Sequence, residues 1–191
     1  RVVSFLGLEL GRFPRPVADG FVPSIEAIRR ELERGARVVV ISDLHNPSGC
    51  LCPTEVLRDI AETCRSYDAT LIVDEVYRDY AHINQDHSLA PSTHLGTNVI
   101  TTNSLTKVYG FGGLRAGWLI ASPEIINQAG HVFNHLSVDL PAPSTAAAIH
   151  VLRQIDRFAD RTRAIWRHHY PLFSRWLATR QDVTGYEHAG A

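Results

Sequence analysis

The chain has 191 residues, 45% hydrophobic and 20% charged, which is apolar enough to bury a core and too apolar to stay disordered. Nineteen Lys and Arg against twenty Asp and Glu leave a formal charge of −1, without the basic excess of a nucleic-acid binder. No run reaches the ~20 apolar residues that cross a bilayer, and three cysteines, at 50, 52 and 64, make no disulfide framework and fit a reducing cytoplasm.

The length predicts one domain. There is no Met, the chain opens on Arg1-Val2-Val3, and it closes on Gly190-Ala191 without a helix cap or polar tail. It therefore reads as an internal piece of a longer protein. Residues 2–8 are apolar and β-branched and predict a strand; residues 11–21, with two Pro and two Gly, predict a loop. Ser24, Glu26, Ile28 and Leu32 predict a capped amphipathic helix ending near Gly35. Residues 38–41 form a continuous apolar run, as in a strand buried on both faces.

Pro53-Thr54-Glu55 opens a helix whose apolar positions are Val56, Leu57, Ile60 and Cys64. Further strands are predicted over 69–73, ending at Asp74, over 98–102, just before Ser104, and over 116–121, with a helix from Pro123. From 141 to about 179 the pattern is helical, with a kink or break expected at Pro171. Strands alternating with helices predict a mostly parallel α/β sheet, whose chemistry collects at the strands' carboxyl ends. Asn46, Asp74, Ser104 and Lys107 all fall there.

Three clusters carry candidate chemistry. Asn46-Pro47-Ser48-Gly49 reads either as a tight strand-to-helix turn or as part of a site. Asp74-Glu75-Val76-Tyr77 puts a carboxylate at a strand end, where it holds a cation or a loop N–H. In the stretch from Ser104 through Lys107 to Arg115 and Trp118, Lys107 is bracketed by hydroxyls, glycines and an arginine. A buried, neutral Lys is the usual carbonyl-condensing amine, and Arg offers a fork for phosphate oxygens. A lone Lys is otherwise a solvated charge. Cys50-Leu51-Cys52 lacks the spacing of a zinc knuckle, and no metal site is expected.

Taken in order, Asn46-Pro47-x-Gly49, Asp74-x-x-Tyr77 and Ser104-x-Thr106-Lys107, followed by Gly-rich sequence to Arg115 and Gly117, resemble the large domain of class I/II aminotransferases. These are fold-type-I enzymes dependent on pyridoxal 5′-phosphate. The resemblance covers nearly the whole chain. It implies a three-layer α/β/α architecture with a mostly parallel sheet. Residues 1–140 would be a partial cofactor-binding large domain. Residues 141–191 would be a long helix and the start of a small C-terminal domain.

The resemblance also implies roles. Lys107 would form the Schiff base with the cofactor and afterwards move a proton, and Asp74 would pair with the pyridine nitrogen. Asn46 and Tyr77 would hydrogen-bond the 3′-oxygen. Ser104, Arg115 and Thr106 would hold the phosphate, and Val76 would cover one ring face. Substrates would be an amino acid and a 2-oxo acid, in a cytoplasmic homodimer with no nucleic-acid or membrane partner. A phosphate loop, a ring-stacking aromatic and a substrate-carboxylate arginine would lie outside these residues, leaving the isolated piece weak in cofactor binding, inactive and poorly soluble.

Other readings stay open: a lyase, synthase or racemase on the same scaffold, the aminotransferase-like half of a cofactor-sensing transcription regulator, or a binding module without chemistry. Gly112, Gly113 and Gly117 are expected to shape backbone, and Tyr80, Tyr109 and Trp118 to pack in the core or at an interface.

Overall fold

The computed structural model describes residues 2–83, 91–137 and 139–185; the uncapped end read at 186–191 lies outside them. Helix α1 (Val2–Phe5) is followed by α2 (Ile25–Glu33), strand β1 (Val38–Ser42), α3 (Thr54–Ser66), β2 (Thr70–Asp74) and β3 (Val99–Ser104). Then come β4 (Gly117–Ile120), α4 (Pro123–Leu136), α5 (Ala142–Leu152) and α6 (Ile155–Ala178). The sheet order is β1-β2-β3-β4, with β1, β2 and β3 parallel and β4 antiparallel to β3. The chain is thus α/β around a mostly parallel sheet.

Local chemistry accounts for most of these elements. The Ser24 hydroxyl accepts the Ala27 N–H at 3.2 Å, capping α2 as its sequence predicts. Ile28 and Leu32, four residues apart, are buried on one face of α2, and Leu57, Ile60, Ala61 and Cys64 on one face of α3. Both faces join Val39, Ile41, Leu71, Val73 and Val99 of the sheet in one core. Each fully buried Leu or Ile there stabilises the fold by about 1.5–3 kcal/mol. A second core forms where Ala148 and Val151 of α5 and Ala159 of α6 meet Leu105, Val108 and Tyr109.

Three expectations are corrected. Residues 2–8 form no strand: the Leu8 N–H donates to the Val3 carbonyl and the Gly7 N–H to that of Ser4, closing a helical turn. β-Branched residues favour a strand only when a neighbouring strand supplies a ladder, and none among the described residues pairs with this segment. β1 is not buried on both faces. It is an edge strand, with Val39 and Ile41 inside but Val38 and Val40 55% and 58% exposed. Pro171 lies inside α6 and ends nothing; the break comes between α5 and α6, at Arg153 and Gln154. Pro171 and Arg167, whose carbonyl loses its partner there, are both exposed, so water can satisfy it.

Candidate active site

Parallel register gathers the candidate residues. Ser42 of β1 stands opposite Asp74 of β2, which stands opposite Thr102 of β3, so three carboxyl ends share one sheet edge. The ladder continues past the strands: the Asp43 N–H donates to the Asp74 carbonyl at 2.9 Å, and the Glu75 N–H to that of Thr102 at 2.8 Å. The loops bearing Asn46, Tyr77 and Lys107 leave from this edge. β4 returns to it, because its first residue, Gly117, pairs with Ser104.

Asp74 Oδ1 accepts the Val76 N–H at 3.2 Å and the Thr102 hydroxyl at 3.4 Å, which fixes the orientation of a half-buried carboxylate. Just beyond, Tyr77 lies under Lys107, whose Nζ is 5.7 Å from the ring centroid, within cation–π range. Tyr77 stacks on Tyr80, with centroids 6.4 Å apart, and Tyr80 meets Trp166 of α6 at the same separation. Tyr80 is half-buried between its neighbours, as expected of a packing group.

The Lys107 segment is held by its backbone. The Ser104 hydroxyl accepts the Thr106 N–H at 3.3 Å, the Gly110 N–H donates to the Lys107 carbonyl at 3.1 Å, and the Phe111 N–H to that of Leu105 at 2.8 Å. From α6, the Thr162 hydroxyl donates to the Val108 carbonyl at 2.6 Å. The Tyr109 hydroxyl donates to Asp79 Oδ2 at 2.5 Å, and burial, the largest cause, pushes this phenol well above its usual range, helped by the Asp79 charge. Tyr109 packs 6.4 Å from Trp118, so both aromatics belong to the interior. Gly117 is required for shape: a Cβ there would sit 2.9 Å from the Asn103 carbonyl oxygen and 3.2 Å from Ser104 Cβ. Gly112 and Gly113 show no such close approach.

The structure departs from the sequence reading at Lys107, and it leaves Arg115 and Asn46 in the open as well. Lys107 is exposed, not buried: Leu105 and Val108 on either side turn inward and leave the amine above the floor they build. Arg115 is exposed too, and its Nη1 donates to the Gly112 carbonyl at 3.2 Å. Its φ of 53° is left-handed, a conformation that costs a non-glycine residue about 1–3 kcal/mol; the β3–β4 return holds it there. Asn46 is exposed and lines, with Arg12, Arg15, Ser42 and His45, a cavity of about 320 Å³ beside β1. Asp74, Tyr77, Ser104, Thr106 and Lys107 lie at or just beyond the carboxyl ends of β2 and β3, and Asn46 follows the neighbouring end of β1.

Sequence reasoning missed the groups beneath that floor. Asp43, Glu75, Arg78 and Ser92 are all buried. Arg78 Nη1 lies 2.6 Å from Asp43 Oδ2, 3.2 Å from Glu75 Oε1 and 3.0 Å from the Ser92 hydroxyl. Burial, the largest influence on both carboxyls, pushes Asp43 and Glu75 up from the ordinary carboxylate range. Hydrogen bonds from the Cys52 N–H to Asp43 and from Ser92 to Glu75, and the Arg78 charge, pull them back. An acidic residue directly after an apolar strand, the signal that singled out Asp74, also marked Asp43. Among the described residues no cluster of three or more His, Cys, Asp or Glu could hold a metal ion, and no helix is long and apolar enough to cross a membrane.

Comparison with known proteins gives the family. Residues 1–189 match the family described as aminotransferase class I and II. The chain belongs to that family. Over 131 residues it is 30% identical to a probable aspartate/prephenate aminotransferase of Thermus aquaticus, covering 69% of this chain and 34% of that protein. Over 147 residues it is 28% identical to the capreomycidine synthase of Streptomyces vinaceus, covering 76% and 37% respectively. The crystal structure of a PLP-dependent aminotransferase from Streptococcus suis superposes with a TM-score of 0.89 at 20% identity, over 98% of this chain and 49% of that one. The shared fold is that of the family. The chain spans about a third of the length of the first two relatives and half of the third.

Proposed function

We propose that the protein is a pyridoxal 5′-phosphate-dependent aminotransferase that moves an amino group between an amino acid and a 2-oxo acid, with Lys107 as its covalent lysine. The observation that carries this reading is Lys107 Nζ, 5.7 Å above the Tyr77 ring on the sheet edge that also bears Asp74. Family membership supports it. The residues present fit the cofactor: an amine for its aldehyde, an oriented carboxylate for its ring nitrogen, and hydroxyls with a guanidinium for its phosphate.

Bound here, the cofactor supplies a sink for the electron pair left when a bond to the substrate Cα breaks. Asp74 holds the proton on the ring nitrogen, since a nearby carboxylate favours the cationic form. Asn46 and Tyr77 donate hydrogen bonds to the 3′-oxygen. Ser104, Thr106 and Arg115 bind the phosphate, Arg115 through its charged N–H groups. Val76 excludes water from one face of the ring. Lys107 would hold the cofactor through its amine and would carry the proton to and from the substrate Cα. In this reading residues 1–140 are part of the large domain and 141–191 lead into the small one. A homodimer partner closes the site over the exposed Lys107, and the enzyme works in the cytoplasm.

The test is to incubate the intact protein with pyridoxal phosphate, reduce with borohydride and map the labelled peptide. Label confined to Lys107, and its loss in Lys107→Ala, is the expected result; label spread over several amines overturns the reading. A second reading, a synthase or lyase on the same site, draws on the capreomycidine synthase match. Label at Lys107 with no amino transfer from any amino acid to a 2-oxo acid would favour it.

A further inference from the structure

Asp43, Glu75, Arg78 and Ser92 lie beneath the cofactor floor and take none of the roles above. Their bonds nevertheless join its two loops. Asp43 Oδ1 accepts the Cys52 N–H at 2.9 Å, closing the loop that carries Asn46. Within it, the His45 N–H donates to the Cys50 carbonyl, the Gly49 N–H to that of His45, and the Asn46 N–H to the Ser42 hydroxyl. The other Asp43 oxygen meets Arg78, the residue directly after Tyr77. Glu75, directly after Asp74, accepts both the N–H and the hydroxyl of Ser92, at 2.8 and 2.6 Å, and shares Arg78 with Asp43.

Buried charges are a poor device for stability alone, because well-packed apolar residues of similar volume often do as well. What they add is direction: each bond has one geometry, and here the bonds run from one loop to the other. Apolar packing beneath the two loops would let them slide; a 2.6 Å contact between ions 7% and 0% exposed does not.

We infer that the Asp43–Arg78 ion pair is a clamp that sets the Asn46 loop against the turn carrying Asp74 and Tyr77, making Asp43 and Arg78 positioning residues for the cofactor ring. The inference rests on the functional reading above. Asn46 and Tyr77 reach the same ring oxygen from different loops, so their separation fixes how well both can donate at once. Donors on that oxygen lower its hold on a proton. A loosened clamp therefore weakens cofactor binding and raises the pH at which the absorbance of the Lys107-bound cofactor changes.

The experiment uses the intact holoenzyme, the variant Arg78→Lys, and the paired variant Asp43→Asn with Arg78→Met. The pair removes the Asp43 charge together with its cation, while Glu75 loses Arg78 but keeps the N–H and hydroxyl of Ser92 as donors. The expected result is a paired variant that still melts in one transition, binds pyridoxal phosphate about tenfold more weakly and shows an upward-shifted absorbance midpoint, with Arg78→Lys recovering part of both. A change in melting temperature alone, with affinity and midpoint unmoved while borohydride still labels Lys107, assigns the pair to structure only and overturns the inference. An unlabelled Lys107 in the wild-type protein removes the cofactor reading itself, and the clamp's role falls with it.

Discussion

The two halves of the site floor are held by different physics. Under the loops after β1 and β2, a buried arginine and two buried carboxyls tie Asn46 and Tyr77 down through side chains far apart in sequence. Under the loop after β3, Lys107 is held by short-range backbone turns, with one hydroxyl from α6 and one from Tyr109 as outside struts. The first half is stiff and intolerant of unpaired charge. The second places an exposed amine on a scaffold whose contacts are individually weaker, which suits the proposed role of Lys107 as a group that bonds to a ligand and lets go of it.

Removing one member of the buried cluster breaks this contrast most sharply. Arg78→Met alone leaves Asp43 and Glu75 buried without their cation and should cost about 3–5 kcal/mol of stability, read from urea unfolding of the intact protein. A loss under 1 kcal/mol would make the two halves energetically alike. On the other side, Tyr109→Phe deletes the strut to Asp79 and should cost about 1.5–3 kcal/mol, the usual worth of a hydrogen bond to a charged group. Should it cost more than Arg78→Met, the assignment of stiff and compliant halves is reversed.

The smallest effect is one of pH. Burial is the main cause that pushes the Cys52 thiol, beside Asp43, up to about 12 and the Cys64 thiol, in the core under α3, up to about 11. Unfolded thiols ionise near ~8.5. The stability from keeping both thiols neutral is therefore complete below that pH and is lost as pH rises toward their folded values. The urea midpoint should fall between pH 8 and pH 10 in the native protein, and less so in Cys52→Ala with Cys64→Ala. An equal fall in both would remove the thiols as the cause.

Local physics is what the amino-acid sequence displays most plainly. The Ser24 cap, the apolar spacing of α3 and the polar residues ending three strands depend on neighbours within a turn or on strand alternation. What stayed hidden depends on partners distant in the chain. Val2 and Val3 promise a strand, yet only a ladder partner could make one. Pro171 promises a break, yet an exposed face tolerates the orphaned carbonyl. Lys107 reads as a buried amine, but its burial depends on what covers it, and the residues around it supply only the floor. The Asp43–Arg78 pair spans 35 positions, and although its place after an apolar strand marks Asp43, nothing short-range points to Arg78 as its partner.

The antiparallel return of β4 also bears on how this protein can change length over generations. Because the Leu105 N–H donates to the Ala116 carbonyl and Ser104 stands opposite Gly117, residues 105–116 form a loop closed at its base that carries both Lys107 and Arg115. One inserted residue there would displace the amine relative to the guanidinium, whereas residues 93–98, which enter β3 at the far edge, carry none of the site groups. Insertions and deletions should therefore accumulate before Val99 and be purged between Ser104 and Gly117, leaving a short peptide of constant length as the most durable signature of the chain.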